Sequence, residues 1–572
     1  MSAMTLAMDA PLRLNVGFLD YWLIAIYFVF VLGIGYLARR QVASSLDFFL
    51  SGRRLPAWVT GIAFVSANLG AVEIMGMSAT GAQIGMSTFH YYWIGAVPAM
   101  VFLGLVMMPF YYGSKVRSVP EFMRKRFGTG AHLVNSISFA VAQVLIAGVN
   151  LFLLGTVINV VLGWPQWVSL LVAAAVVLTY TVLGGLSAAI YNEVLQFFVI
   201  LAALVPLTVI GLIKVGGWSG LKEKVIETRG DQGVTATVSQ QLHTWPGQAL
   251  SGFESPVWSV VGIVFGLGFV LSFGYWTTNF VEVQRAMASD SMSAARRTPI
   301  IGAIPKMFIP FVVVVPGMIC AAAIGDMMNL KNNGAAQGVT YNDAMLLMIR
   351  DILPNGLLGV AVAGLIASFM AGMAANVSAF NTVFSFDLWQ QYVVKDREDA
   401  YYIKVGQVAT VIAVLLAIGT ATIAAGYSNL MDYLQTLFGF FNAPLFATFL
   451  LGMFWKRMTP TAGWVGLVSG TLAAIAVFVM QQTGVIDLPG QGMAFVAASA
   501  AFVVDIVVSV AVSAVTMPKP EAELNGYVYS LTDRAILRGA EDSDARAPWY
   551  ARAVPLGIAV LATTLVLGVI FR

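Results

Sequence analysis

The sequence predicts an all-α polytopic membrane protein of about fourteen transmembrane helices. Three observations carry that prediction. Of its 572 residues, 59% are hydrophobic and 10% charged, with a mean hydropathy of +0.82, a balance outside the range of water-soluble domains. Apolar runs long enough to span the hydrocarbon layer recur along the whole chain. Two of these runs are interrupted by glycines, and their starting positions lie five helices apart, as expected when two five-helix units form an inverted repeat.

Taken in order, the expected helices are 18–38, 56–82, 89–112, 134–161, 166–184, 188–213, 256–280, 298–324, 356–391, 404–425, 429–454, 460–481, 492–516 and 550–571. The first, with YWLIAIYFVFVLGIGYLA at its centre, is followed by Arg39 and Arg40, and a cleaved signal would instead carry its basic residues before a shorter apolar core. Basic residues recur after alternate helices: Arg53 and Arg54, Lys115 to Arg126, Arg285 to Arg297, Lys395 to Lys404, and Lys456–Arg457. The short loops between (83–88, 162–165, 426–428, 482–491) hold no Lys or Arg. Positive charge stays on the cytoplasmic side, so both termini are expected to face outward. The outer loop 214–255 and the cytoplasmic linker 517–549 are the longest connections of interest, and neither reads as a separate soluble domain.

Several function classes drop out. The single cysteine, Cys320, permits no intramolecular disulfide framework, and His90, His132 and His243 lack metal-ligand spacing. No nucleophile, base and orienting group recur at an interpretable spacing, so an enzyme is not expected. The net charge of +3 points to no nucleic-acid partner. The expected partners are the lipid bilayer and a small solute; the sequence leaves the oligomeric state open.

The two interrupted helices are WVTGIAFVSANLGAVEIMGMSATG, with Asn68, Gly70 and Glu73 at its centre, and WSVVGIVFGLGFVLSFGYWTTN, with Gly262, Gly266, Gly268 and Gly274. Discontinuous helices expose backbone polar groups at mid-membrane depth and suit a solute and ion site. Glycines also permit close helix packing. Glu73 beside the first interruption favours a site there.

DFFLSGRRLPAW (47–58), SANLGAVEIMGMSATG (66–81), SVPEFMRKRFG (118–128), VLGGLSAAIYNEVLQFF (182–198), NTVFSFDLWQQY (381–392) and LLGMFWKR (450–457) occur in an order that resembles the solute:sodium symporter family. The resemblance implies a LeuT-type core of ten helices over 56–457. Residues 1–55 would supply an extra helix and a cytoplasmic loop, and 458–572 three further helices. It also implies solute uptake across the plasma (inner) membrane by alternating access.

The same resemblance implies site residues. Lys306 matches a lysine that donates to a sugar hydroxyl; as an intramembrane ammonium it either lines a cavity or snorkels to the interface. Gln435 matches a sugar-binding position, although an amide can also be satisfied between helices. Glu73 stands where the sugar transporter has an amide, which argues for a different solute or a protonatable group. Tyr91 matches a substrate-side tyrosine, while Tyr92 replaces an acidic sugar ligand. Tyr275, followed by Trp276, matches an aromatic closing the site from the cytoplasmic side. Glu193 matches an acidic position on the intracellular ion exit path, or is an interfacial carboxylate. Asp387 and Glu282 are expected to pair with nearby Arg or Lys.

For the coupling ion, the resemblance places Ser66, Leu69 and Ser368 at carbonyl-contributing positions of a sodium site. Ala371 and Gly372, in ASFMAGMAANVSAFNTVF (367–384), fall where the family has hydroxyls. Sodium prefers several oxygen ligands, and neither residue offers one from its side chain. Three readings follow: sodium held by carbonyls, water or the Ser368 hydroxyl; a proton carried by Glu73 or Glu193, since burial favours a neutral carboxyl; or an uncoupled permease or transport-fold sensor. No cofactor is expected beyond the coupling sodium or proton.

Overall fold

The computed structural model describes residues 12–38, 44–227, 238–333, 339–426, 429–533, 544–545 and 547–572. Arg39, Arg40 and parts of the 214–255, 325–355, 426–428 and 517–549 connections lie outside the described residues. Among the described residues twelve helices are long and apolar enough to cross a membrane, and two shorter apolar helices occupy the other expected positions. The protein is a multi-pass membrane protein. Its peripheral helices turn large apolar side chains outward, among them Phe30, Leu415 and Val569, as a surface solvated by lipid requires.

Helix α1 (Phe18–Ala38) precedes α2 (Ala57–Asn68), where the first expected interruption falls. Leu69 leaves helical geometry (φ −73, ψ 47), a π-helical turn follows over Val72–Gly76, and α3 (Met77–Ile84) resumes. The next span, 90–113, is assembled from short α and π pieces. An amphipathic surface helix, α4 (Val119–Phe127), leads into α5 (Thr129–Leu162).

The fifth and sixth expected helices lie within Gln166–Lys214, together labelled α6, and meet at a kink at Gly185 (φ 56, ψ −151). A Cβ there would lie 2.6 Å from the Phe48 carbonyl oxygen, so both the backbone angle and the close approach demand glycine.

The second expected interruption is not a gap. Helix α7 (Pro256–Thr278) is continuous, with its glycine-rich centre, Gly262–Ser272, wound as a π-helix. Added Cβ atoms at Gly266, Gly268 and Gly274 would meet Phe495, Ile94 and the Asn442 carbonyl within 3 Å. Here the glycines serve close packing, which decides between the two sequence readings.

The short helix α8 (Phe280–Met287) follows. The expected 298–324 helix then divides into α9 (Met292–Lys306) and α10 (Ile309–Ala323). Pro305 and Pro310 flank the division, and Pro310 has no N–H to continue the ladder, so Lys306 sits at a helix joint. The long α11 (Leu357–Thr382) continues as a π-helix over Val383–Val393, followed by α12 (Asp399–Ala424) and α13 (Leu430–Phe454).

Helices α6 and α5 both pack along α11, α12 lies against α5, α3 against α10, and α2 against α9. The last spans, α14 (Pro460–Gln482), α15 (Gly492–Val515) and α16 (Ala553–Ile570), follow; α14 and α15 pack together, and α15 abuts α13. The described part of 517–549 holds 3₁₀ turns at Glu521–Leu524 and Tyr529–Leu531 rather than a surface α-helix.

Candidate functional site

The interruption after α2 frees backbone groups that must find partners away from water. The Leu69 carbonyl accepts the Ser368 hydroxyl from α11, and the Ala71 N–H donates to Asn150 Oδ1 of α5 at 3.0 Å. Asn68, the last residue of α2, sends its side chain the other way, towards the joint between α9 and α10.

There it meets Lys306. The Lys306 ammonium donates to Asn68 Oδ1 and to Glu73 Oε1 at 2.7 Å. It also lies 5.0 Å from the Tyr92 ring centre and 5.5 Å from that of Trp276. The side chain is 2% exposed, against 11% for Glu73. The ammonium is therefore buried and paired rather than snorkelled to an interface, as an intramembrane charge must be. Asn68 Nδ2 in turn donates to the Tyr275 hydroxyl at 3.0 Å, and that hydroxyl donates to Glu282 Oε1 at 2.8 Å. The Tyr275 ring packs against Trp276 and Phe438.

These groups border one cavity of about 100 Å³. Glu73, Tyr91, Tyr275, Lys306 and Gln435, the five residues implied as solute-binding, all line it, together with Asn68. The Tyr91 hydroxyl is buried with no hydrogen-bond partner among the described residues. Residues from α2, α7, α9 and α13 thus converge although they lie far apart in sequence.

The implied sodium positions also come together, but their packing leaves little for an ion. The Ser66 carbonyl accepts the Leu69 N–H at 3.0 Å, and the Ser368 hydroxyl is engaged by Leu69. A Cβ on Gly372 would lie 3.0 Å from Gly70 Cα and 2.8 Å from Asn150 Oδ1. Gly70 and Gly372 are in backbone contact where a hydroxyl would otherwise project, and Ala371 is fully buried without a polar side-chain atom. The oxygens present do not make the set a sodium ion prefers.

Three acidic residues behave differently from the sequence expectation. Glu193 is no interfacial carboxylate: fully buried, it receives Arg285 Nη2 at 2.5 Å and Nε at 3.2 Å. Asp387 accepts from His132 Nε2 at 2.9 Å, not from Arg or Lys. Glu282 pairs with neither, because Tyr275 holds it. Asn68 and Glu282 are the residues whose roles in the site sequence reasoning missed. The polar side chain at the break was a signal for Asn68; the position of Glu282, seven residues after Tyr275, offered none until helix α8 was seen folding back against α2.

A broken helix beside a cavity with a few convergent polar groups, within a bundle of this size, is the arrangement that the resemblance to a LeuT-type transporter implies. A model described as the sodium:solute symporter family matches residues 48–470. Relatives include the sodium/glucose cotransporter of Vibrio parahaemolyticus, 28% identical over 474 residues, covering 80% of this chain and 84% of that protein. Sodium/glucose cotransporter 1 of Ovis aries is 28% identical over 560 residues, covering 92% and 83%. A solved structure of a Na⁺-coupled sialic acid symporter, substrate-bound and outward-open, matches with a TM-score of 0.72 at 20% identity, covering 88% of this chain and 98% of that one; this likeness is one of fold. The chain belongs to the sodium:solute symporter family, and it is a solute transporter, not an enzyme.

Proposed function

We propose that the cavity takes up a neutral, hydroxyl-rich solute, with a hexose as the first candidate, and imports it by cation-coupled alternating access. The observation that carries this reading is the Lys306–Glu73 pair. With the ammonium already neutralised, a lone carboxylate substrate would have to displace Glu73, whereas a sugar needs only donors and acceptors. Asn68, Glu73, Lys306 and Gln435 supply both kinds, and Tyr91 adds a free hydroxyl. The sodium/glucose cotransporters among the relatives support the same substrate class.

In this reading the transport core runs over 56–457, with 1–55 and 458–572 as additions and both termini on the outer side. Tyr275 closes the cavity towards the cytoplasm. Glu193, with both oxygens on Arg285, serves that ion pair rather than an open exit path. The test is uptake of radiolabelled glucose by the full-length protein in proteoliposomes, with galactose, alanine and acetate as competitors. Competition by hexoses alone is expected; competition by acetate or alanine alone would overturn the assignment.

A further inference from the structure

The buried ionic groups next to the cavity do not balance. Glu73, Glu193 and Glu282 provide three carboxylates, while Lys306 and Arg285 provide two cations. Both cations are committed. Arg285 gives Nε and Nη2 to Glu193, and Nη1 to the Val281 carbonyl at 2.7 Å and to Gln284 Oε1 at 3.3 Å. Lys306 is held by Glu73 and Asn68.

Glu282 is left over. It is fully buried, and among the described residues no Lys or Arg nitrogen lies within ion-pair distance of it. Oε1 accepts the Tyr275 hydroxyl, and Oε2 has no hydrogen-bond partner. The groups that act on it are Tyr275 of α7, Arg285 on its own helix, Lys306 of α9 and Glu193 of α6. Helices α2 and α11, which also pack against α8, carry no titratable side chain, while the segments Ser45–Leu50 and Met108–Gly113 that touch it carry Asp47, Tyr111 and Tyr112. A buried carboxylate with one orphaned oxygen and no counter-ion is costly, and binding a small cation removes the cost. With a single orphaned oxygen, Glu282 offers one atom rather than the oxygen cage that sodium requires.

We propose that Glu282 is a proton-binding site of the transport cycle, holding a proton on Oε2 while Tyr275 closes the cavity and releasing it inward when Tyr275 moves away. The proton is taken from water and returned to water, so one O–H bond forms and breaks and no other reactant is needed. Two features agree with this assignment. Burial pushes the Glu282 carboxyl up to about 7, against the opposing pull of the Tyr275 bond, Arg285 and Lys306. The implied sodium positions lack the hydroxyls at 371 and 372, so the family's usual cation site is weakened where the surplus charge appears elsewhere.

The proposal rests on the symport reading, and its test has an arm that does not. In the first arm, infrared difference spectra of the full-length protein in liposomes are recorded across about pH 7. A protonated-carboxyl band that titrates in the wild type and is missing in Glu282→Gln is expected. No titrating band in the wild type, or the same band in both proteins, overturns the proposal.

The second arm measures glucose accumulation under an inward proton gradient beside glucose exchange with no gradient. One coupled proton supports about tenfold accumulation per pH unit. The wild type should approach that value, and Glu282→Gln should accumulate no glucose above equilibrium under the same gradient. Proton-driven accumulation retained by Glu282→Gln overturns the proposal. If the wild type exchanges no glucose, it is the sugar reading that fails, and the infrared arm alone decides Glu282.

Discussion

Replacing Lys306 by Met removes the ammonium from a site where Glu73 Oε1 is 2.7 Å away and the two side chains are 2% and 11% exposed. Methionine fills a similar volume, so the loss is electrostatic rather than a cavity. Glu73 is then buried without a cation and Asn68 Oδ1 without its donor, which costs about 3–5 kcal/mol. The converse change, Glu73→Gln, strands the ammonium less severely. Asn68 Oδ1 still accepts from it, and the Tyr92 and Trp276 rings stay in place, each face contributing about 0.5–2 kcal/mol. Removing both charges together should approach neutrality, because a buried pair exchanged as a whole changes stability little. The double-mutant cycle over these four proteins, read by denaturant unfolding of full-length protein in detergent, should give a coupling of at least about 3 kcal/mol, since the single costs largely vanish in the double variant. Glucose uptake should be lost in Lys306→Met and not restored in the double variant, since the pair's stability and its donors to solute are separate properties. If the single costs simply add to within about 0.5 kcal/mol, Lys306 and Glu73 do not form the buried pair on which the substrate argument stands.

Gly372→Ser should fail to create a sodium response by itself, because its Cβ would crowd Asn150 Oδ1 at 2.8 Å and Gly70 Cα at 3.0 Å; lower stability without sodium-stimulated uptake is the expected pair of measurements. Tyr275→Phe removes the only donor to Glu282 among the described residues and the acceptor for Asn68 Nδ2, a loss of about 1–3 kcal/mol by unfolding, with a faster solute leak through the inner side in efflux assays. Arg126→Met should destabilise by a similar amount. It strips the donors from the carbonyls of Gly452, Trp455 and Met458, which end α13, where a cation also suits the helix dipole.

The helices were legible because lipid permits only elements that satisfy their own backbone, so apolar length reads almost directly as a span. What length cannot report is continuity. The run 166–213 read correctly as two helices, which meet at the kink at Gly185. The run 298–324 looked like one helix although prolines at 305 and 310 divide it. Glycine count was equally ambiguous: the same residue type opens the chain at Leu69–Gly70 and merely narrows α7 against Phe495. The lining of the cavity was legible where a charged or amide residue stood alone in an apolar run, as at Glu73, Lys306 and Gln435. It was not legible where the role depends on which partner is already taken. Glu282 resembled an ordinary carboxylate awaiting Arg285, and only the placement of Glu193 on α6 shows that this arginine is occupied.

That occupancy ties the helix break to the inner closure. Asn68 is the last residue before the break, and its one amide holds both Lys306 and the Tyr275 hydroxyl. Any rotation of α2 about Leu69–Ala71 must stretch one of those bonds. The opposite face of the break is pinned to the scaffold, through Leu69 to Ser368 and through Ala71 to Asn150. Movement is therefore directed towards the Lys306–Tyr275 side, where the bonds join side chains rather than a side chain and a frozen backbone. On the proposed reading, solute entering the cavity competes for Asn68 and Lys306, and so acts on Tyr275 without touching Glu282. A proton on Glu282 acts on Tyr275 from the other end, by weakening the acceptor that its hydroxyl needs. Two ligands that share one hydrogen-bonded tyrosine influence each other's binding reciprocally, which is the thermodynamic requirement for one to drive the other.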